Sequence, residues 1–268
     1  MITFGEESDS QKYAFDTDDL PSPNDRDSEK SASAYAKSFD IAMECAKQEK
    51  SLPEVLKKIH EVAIGEVNWK RTMAELESVE FANETDYTSG NFRPEMSSRL
   101  TIAHGRKGVV YDIPRVREAT QLINELNTML QDRIQVTQRV SDEYFELAAA
   151  VSLLTYISQP FLGGNKRTVR PEITYVLTRG GLTGKWLDDD ESFKQTFKDS
   201  WANLVLEFQE TIDGKDADKV EDYDEIWLKF WSDKVKSGEI LSDPNVHQFA
   251  NAIRNAPHYD YAQRQKVA

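Results

Sequence analysis

The residues whose types and spacing could do chemistry cluster in segment 159–170, which reads Gln-Pro-Phe-Leu-Gly-Gly-Asn-Lys-Arg-Thr-Val-Arg. Its glycine pair, Gly163 and Gly164, comes just before an apolar helical pattern, so we expect a tight turn that opens a helix. Backbone N–H groups at a helix start have no intrahelical acceptor and can hold a phosphate, and glycine lets a ligand approach the backbone closely. The segment is therefore a candidate phosphate cradle.

Three basic residues follow the glycine pair, namely Lys166, Arg167 and Arg170. They fall within the first turn and a half of the predicted helix, where positive charge opposes the helix dipole at a cost of a few tenths of a kcal/mol or more. A bound anion would remove this conflict. The structural alternative is a solvated basic face with no ligand.

Helices and one short strand must position this segment. Apolar residues recur at helical spacing from Val116 to Leu130, from Leu147 to Ile157 and from Val169 to Leu177, the last pattern ending at the glycines 180 and 181. The β-branched run Val109, Val110, Tyr111 and Ile113 lies between Gly108 and Pro114, and it predicts one extended strand or hairpin arm.

With these flanks, the segment resembles the signature of the Fic/Doc (Fido) family, His-x-Phe-(Asp/Glu)-Gly-Asn-(Gly/Lys)-Arg-x-x-Arg, in its Doc-like Asn-Lys-Arg form. The resemblance covers residues 99–182. It implies a mainly α fold, a Fido-type helical bundle with a short β flap formed by Val109, Val110 and Tyr111, to which this chain adds N- and C-terminal helices.

The resemblance also identifies what is missing. In active members the first motif position is a histidine that acts as general base, and the acidic position holds magnesium; here they are Gln159 and Gly163. A glutamine amide has no basicity near pH 7, so the general-base contribution, typically ~10²- to 10⁴-fold, is lost. Gly163 supplies no carboxylate, and because magnesium generally wants at least one we do not expect it to bind.

The positions that carry over are those that would hold a phosphate. The resemblance assigns the backbone near Gly163, Gly164 and Asn165 to a phosphate nest, and it assigns Lys166, Arg167 and Arg170 to phosphate contacts. Phe161 would anchor the turn in the core. The implied ligand is ATP or another nucleotide.

The rest of the chain divides by composition and periodicity. Residues 1–30 are acid-rich and predict a flexible tail, with docking to a partner through Tyr13 and Phe15 as the alternative. Residues 31–98 predict helices followed by a loop, with 82–108 lacking helical periodicity. Residues 183–268 predict a C-terminal helical extension packed on the core.

Composition excludes several classes of function. The 47 acidic and 33 basic residues give a net charge of −14, which disfavours nucleic acid as the main partner. There is no apolar run of ~18 residues and no secretory signal pattern, so we expect no membrane association and a cytoplasmic protein, with delivery to a host cytosol as a secreted effector as the alternative. The single cysteine, Cys45, fits a reducing compartment, and the four histidines lack zinc-site spacing.

Three hypotheses about function follow. The first is a pseudoenzyme that keeps an anion or nucleotide pocket and acts as an effector or regulator through protein partners. The second is an active transferase that moves an AMP, phosphoryl or sugar group from a nucleotide donor to a protein hydroxyl with non-standard catalytic residues. The third is a helical domain whose basic loop is accidental.

Overall fold

The computed structural model describes residues 2–4, 26–75, 89–95, 100–104, 109–182 and 191–256. Within these ranges the chain forms eight α-helices, two short 3₁₀ helices and a three-stranded sheet. In chain order the elements are β1 (Ile2–Phe4), α1 (Arg26–Lys47), α2 (Leu52–Glu75), β2 (Leu100–His104), β3 (Val109–Asp112), α3 (Val116–Val136), α4 (Glu143–Ser158), α5 (Asn165–Arg179), α6 (Glu191–Thr211), the 3₁₀ helix Ala217–Lys219, α7 (Tyr223–Ser237), the 3₁₀ helix Glu239–Ser242 and α8 (Pro244–Asn255).

The mainly α fold class is confirmed, and its centre is α4. Every residue of α4 from Leu147 to Ser158 is buried, because the helix is apolar or small on all sides and is covered by α3, α5, α6 and α8. The predicted stripe of α3 faces inward in the same way, with Leu122, Leu126 and Leu130 fully buried. Helix α5 packs on α1, α2 and α4, which fixes the turn that precedes it.

The sheet is small, with strand order β1-β2-β3. Strands β2 and β3 form an antiparallel hairpin in which Ile102 pairs with Tyr111 and His104 with Val109, and β1 pairs in parallel with β2. The prediction of loop for all of 82–108 is wrong at β2. That five-residue strand has no local periodicity strong enough to reveal it, and it is ordered by its pairing with β3.

The outer edge of β3 is covered by the C-terminal helices. Gln209 of α6 donates from Nε2 to the Val110 carbonyl at 2.6 Å, and the Tyr223 hydroxyl of α7 donates to the Asp112 carbonyl. Alternate residues of a strand direct their carbonyls to the same edge, so both hydrogen bonds cap the edge opposite β2. Buried Trp227 of α7 also donates to the Tyr111 hydroxyl. The C-terminal helices therefore hold the hairpin in place.

The acid-rich N-terminal segment is described only in part. Of residues 1–30, residues 2–4 form β1 and residues 26–30 begin α1, five residues before the helix predicted from about residue 31. Tyr13 and Phe15 of the alternative docking segment lie outside the described residues, as do residues 183–190 and 257–268 of the predicted C-terminal extension.

Two further observations concern Cys45 and the helices as a set. Cys45 lies on α1 and is buried, and this burial raises the pKa of its thiol. Of the helices in the described part of the chain, none combines the length and the apolar character needed to span a bilayer.

Candidate phosphate-binding site

The candidate site is built on the turn between α4 and α5, residues 159–164, which we call the 159–164 turn. Helix α4 ends at Ser158, and Gln159 then adopts a left-handed backbone with φ of 43°. Gly164 is left-handed as well, with φ of 73°, and α5 begins at Asn165, directly after the glycine pair as predicted. The first backbone hydrogen bond of α5 runs from the Thr168 N–H to the Gly164 carbonyl at 3.0 Å. The N–H groups of the preceding residues have no acceptor within the helix.

The Asn165 side chain closes this turn. Its Oδ1 accepts from the Phe161 N–H at 3.1 Å, and its Nδ2 donates to the Phe161 carbonyl at 2.9 Å and to Gln159 Oε1 at 2.8 Å. Asn165 is only 6% exposed. Its amide thus builds the turn, and what it offers to a ligand is its backbone N–H.

Gln159 occupies the position where the Fic/Doc signature has histidine. Its side-chain Nε2 donates to the Tyr156 carbonyl at 2.6 Å, while its Oε1 accepts the hydrogen bond from Asn165. Both ends of the amide are engaged inside the turn. The side chain is therefore a structural brace, and an amide in this arrangement cannot take a proton from a hydroxyl.

His60 of α2 also contacts the turn, although it comes much earlier in the sequence. Its Nδ1 accepts from the Gly90 N–H at 3.0 Å, so its Nε2 carries the proton and donates to the Gly163 carbonyl at 2.9 Å. Its ring stacks on Phe161, with centroids 3.9 Å apart and planes at 8°. Burial lowers the pKa of His60 to about 4, and the hydrogen bond to Gly163 offsets this only in part.

Gly164 is required by packing as well as by its backbone conformation. A Cβ at this position would lie 2.0 Å from Cδ1 of Ile64 and 3.5 Å from Nε2 of His60. Helix α2 thus lies directly against one face of the glycine. Helix α2 therefore blocks the approach of a ligand to Gly164 from that face.

Arg93 holds the turn from a third direction. Its backbone N–H donates to the Pro160 carbonyl at 2.8 Å, its Nε donates to the Gln159 carbonyl at 2.9 Å, and its terminal NH2 donates to the Pro114 carbonyl. Pro114 follows the flap strand, with only residue 113 between them. One buried guanidinium therefore joins the turn to the end of the flap.

The basic residues of α5 differ in accessibility. Arg167 and Arg170 are 3% and 7% exposed, and the Arg170 guanidinium lies 5.8 Å from the ring centroid of Phe193 in α6. Lys166 is only partly buried. Of these three side chains, Lys166 is therefore the most accessible from solvent.

The flap residues are arranged differently from the turn. Val109 and Tyr111 are buried and direct their side chains to the core, whereas Val110 is 53% exposed. The contact between flap and turn runs through Arg93 and Pro114.

Among the described residues no group of three or more His, Cys, Asp and Glu side chains is arranged to hold a metal ion.

Glu172 is a further ionisable group behind the site. It lies on α5 and is fully buried, and its Oε1 accepts from the Thr155 hydroxyl of α4 at 2.7 Å. Among the described residues, its Oε2 has no hydrogen-bond partner. Burial raises the pKa of Glu172 well above its ordinary value, and the hydrogen bond from Thr155 opposes this only in part.

His60, Arg93 and Glu172 were not predicted as part of this site. His60 and Arg93 are far from segment 159–170 in the sequence, and neither belongs to the motif. Glu172 gives a weak signal, since it is an acidic residue inside an otherwise apolar helical stripe. Only the packing of α2, segment 89–95 and α4 around the turn identifies these residues.

The contact between Gly164 and Ile64 can be tested with a double-mutant cycle. We expect Gly164→Ala to cost about 2–5 kcal/mol, from a left-handed alanine and from overlap with Ile64. In an Ile64→Ala background the overlap disappears, and the same substitution should cost only about 1–2 kcal/mol. Urea unfolding of the four proteins measures both values. Equal costs in the two backgrounds would refute the close approach of α2.

The buried state of His60 predicts a dependence of stability on acid. The unfolded chain takes up this proton near pH 6.5 and the folded chain only near pH 4, so protonation favours unfolding as the pH falls through this window. Wild type should lose about 3 kcal/mol more than His60→Gln between pH 7.5 and pH 4 in urea unfolding experiments. The exposed His247 provides the control, because His247→Gln should follow wild type. Parallel curves for wild type and His60→Gln would contradict the buried, neutral ring.

The buried Glu172 predicts the opposite dependence of stability on pH, a loss of stability as the pH rises. Above pH 4.5 the unfolded chain releases the Glu172 proton while the folded chain retains it, so this group lowers stability as the pH rises towards its folded pKa. Glu172→Gln keeps the acceptor for Thr155 and removes the ionisation. The variant should match wild type near pH 4.5 and be more stable at pH 8 by urea unfolding. The prediction is wrong if the two proteins differ by the same amount at both pH values, with the exposed Glu210→Gln as reference.

No protein-family model matches this sequence, and no curated protein matches it either. The solved structures that are similar to this chain include two Fic proteins. One is a Fic-domain-containing signalling protein from Bacteroides thetaiotaomicron, with 12% identity and a TM-score of 0.45, covering 97% of this chain and 84% of that one. The other is a Fic family protein from Desulfovibrio desulfuricans, with 14% identity and a TM-score of 0.36, where the match covers 90% of this chain and 59% of that one. The Fic/Doc assignment stays a prediction.

Proposed function

We propose that this protein is a degenerate member of the Fic/Doc family that binds the phosphate of a nucleotide or another phosphorylated ligand at the start of α5. In this proposal it is a pseudoenzyme that acts as an effector or regulator through protein partners. The observation that carries the proposal is the backbone of the 159–164 turn, where left-handed Gly164 leads directly into α5 at Asn165.

The backbone geometry supports anion binding. The N–H groups of Asn165, Lys166 and Arg167 precede the first hydrogen bond of α5, and they lie at the positive end of the helix dipole. The turn is prearranged, because Asn165, His60 and Arg93 satisfy its carbonyls and its Phe161 N–H. A ligand would therefore meet a fixed set of donors at little ordering cost.

The charges support the same proposal. Two nearly buried arginines, Arg167 and Arg170, lie in the first turn and a half of α5, although the dipole there disfavours cations. A phosphate would offset their unfavourable position at the positive end of the dipole. In a chain with a net charge of −14, this local reversal of charge favours a specific anion site.

The residues present do not fit the catalytic chemistry of the active family. The Gln159 amide is engaged with Tyr156 and Asn165, and His60, with a pKa of about 4, is buried and a weak base. Gly163 supplies no carboxylate, and its carbonyl accepts from His60. We derive no magnesium-dependent step from this site, and phosphate binding should not require the metal.

Calorimetry with inorganic phosphate and ATP, each with and without magnesium, tests the proposal. We expect both ligands to bind with little effect of magnesium. Lys166→Ala and Arg167→Ala should each weaken binding about tenfold or more, as expected for loss of a charge-assisted hydrogen bond. Lys229→Ala, which removes an exposed lysine of α7 away from the site, serves as the matched control.

Two outcomes would overturn the proposal in different ways. Absence of binding at millimolar phosphate and ATP, or equal weakening by Lys229→Ala, would remove the anion site. Transfer of label from ATP to a protein in a lysate, lost in Arg167→Ala, would instead favour the active transferase.

A further inference from the structure

Segment 89–95 reaches the 159–164 turn through three of its residues. The Gly90 N–H fixes the tautomer of His60, and the Phe92 ring lies 5.3 Å from that of Phe161. Arg93 then donates to the carbonyls of Gln159 and Pro160 in the turn and of Pro114 beyond the flap. This segment is distant from the motif in sequence, but Phe92 and Arg93 contact it directly and Gly90 acts on it through His60.

The carbonyls that Arg93 contacts have no backbone N–H donor nearby in the sequence. Gln159 and Pro160 follow the last turn of α4, where carbonyls lose their helical donors, and both residues are buried. Pro114 directly precedes Arg115, the N-cap residue of α3, and it is also buried. A buried donor that reaches both places couples the position of the turn to that of the flap.

We propose that Arg93 is a positioning residue, which sets the 159–164 turn against the flap and thereby aligns the N–H groups of α5 for phosphate. The inference rests on the proposed phosphate-binding function. Arg93 itself does not touch the ligand. Its guanidinium holds the backbone carbonyl of Gln159 in position. The hydrogen bond between the side chains of Gln159 and Asn165 then links this position to the first turn of α5.

The planar guanidinium is essential to this role. Nε and the terminal NH2 donate in two directions at once, to Gln159 in the turn and to Pro114 after the flap. A lysine ammonium is a compact group on a flexible stem and does not reproduce the rigid fork of arginine. Arg93→Lys therefore keeps the charge and removes the coupling.

The test uses the full chain with Arg93→Lys and Arg93→Met. Inorganic phosphate should bind about tenfold or more weakly to both variants by calorimetry. Asp243→Ala provides a destabilised control, because it removes the N-cap of α8 far from the turn in sequence while leaving Arg93 intact. This control should bind phosphate as wild type does, even where its unfolding midpoint falls as much as that of Arg93→Lys.

Hydrogen exchange of the free protein supplies a readout that does not depend on phosphate. In Arg93→Lys, peptides covering 109–114 and 159–167 should exchange faster than in wild type, while those from α7 and α8 should not. In Asp243→Ala the pattern should be reversed.

The outcomes separate the two proposals. If wild type does not bind phosphate, the proposed function fails, and the exchange pattern alone still decides whether Arg93 couples turn and flap. If wild type binds phosphate and Arg93→Lys binds it equally well, the positioning role is refuted. Uniformly faster exchange in Arg93→Lys would also overturn the inference, because it would indicate general loss of stability.

Discussion

The architecture around the candidate site depends on one constraint, the need to satisfy buried polar groups in the turn between two core helices. Helix α4 is buried on all sides, so its C-terminal end and the turn that follows lie inside the protein. Those of its carbonyls and N–H groups that are buried require partners within the protein. His60, Arg93 and Asn165 supply these partners from three different parts of the chain.

This constraint explains why the N-terminal helices and the motif form one unit. Helix α2 supplies both the hydrogen bond from His60 to Gly163 and the aliphatic contact of Ile64 on Gly164. The glycine pair is thus adapted to close packing on one side and, in our proposal, to an anion on the other. Gln159 and Gly163, the two positions where the resemblance led us to expect a base and an acid, both belong to this hydrogen-bond network.

In the same way, the C-terminal helices supply hydrogen-bond donors for the carbonyls of the flap strand. An edge strand leaves carbonyls open to pairing with other chains, and Gln209 and Tyr223 cap those of β3. Trp227 and Tyr111 join the two layers by a buried hydrogen bond between side chains. Flap and turn are therefore both held by side chains from other elements, which leaves few independent movements between them.

Much of the local structure was predicted from the sequence. Helical periodicity located α3 to α8, and β-branching located β3, because these signals are carried by residues close together in the chain. The presence of Gln159 and Gly163 in the 159–164 turn is also a property of the sequence alone, and so is the reversal of charge at the start of α5.

Tertiary structure alone decided which residues complete the site. His60 is 103 residues from Gly163, and Arg93 is 66 residues from Gln159, so no local pattern links them. Strand β2 and the raised pKa of Glu172 likewise depend on packing, the first on pairing with β3 and the second on burial between α4 and α5. The sequence determined the helices and the glycine turn. Packing determined what holds that turn, because buried carbonyls are satisfied by whichever donors the fold brings to them.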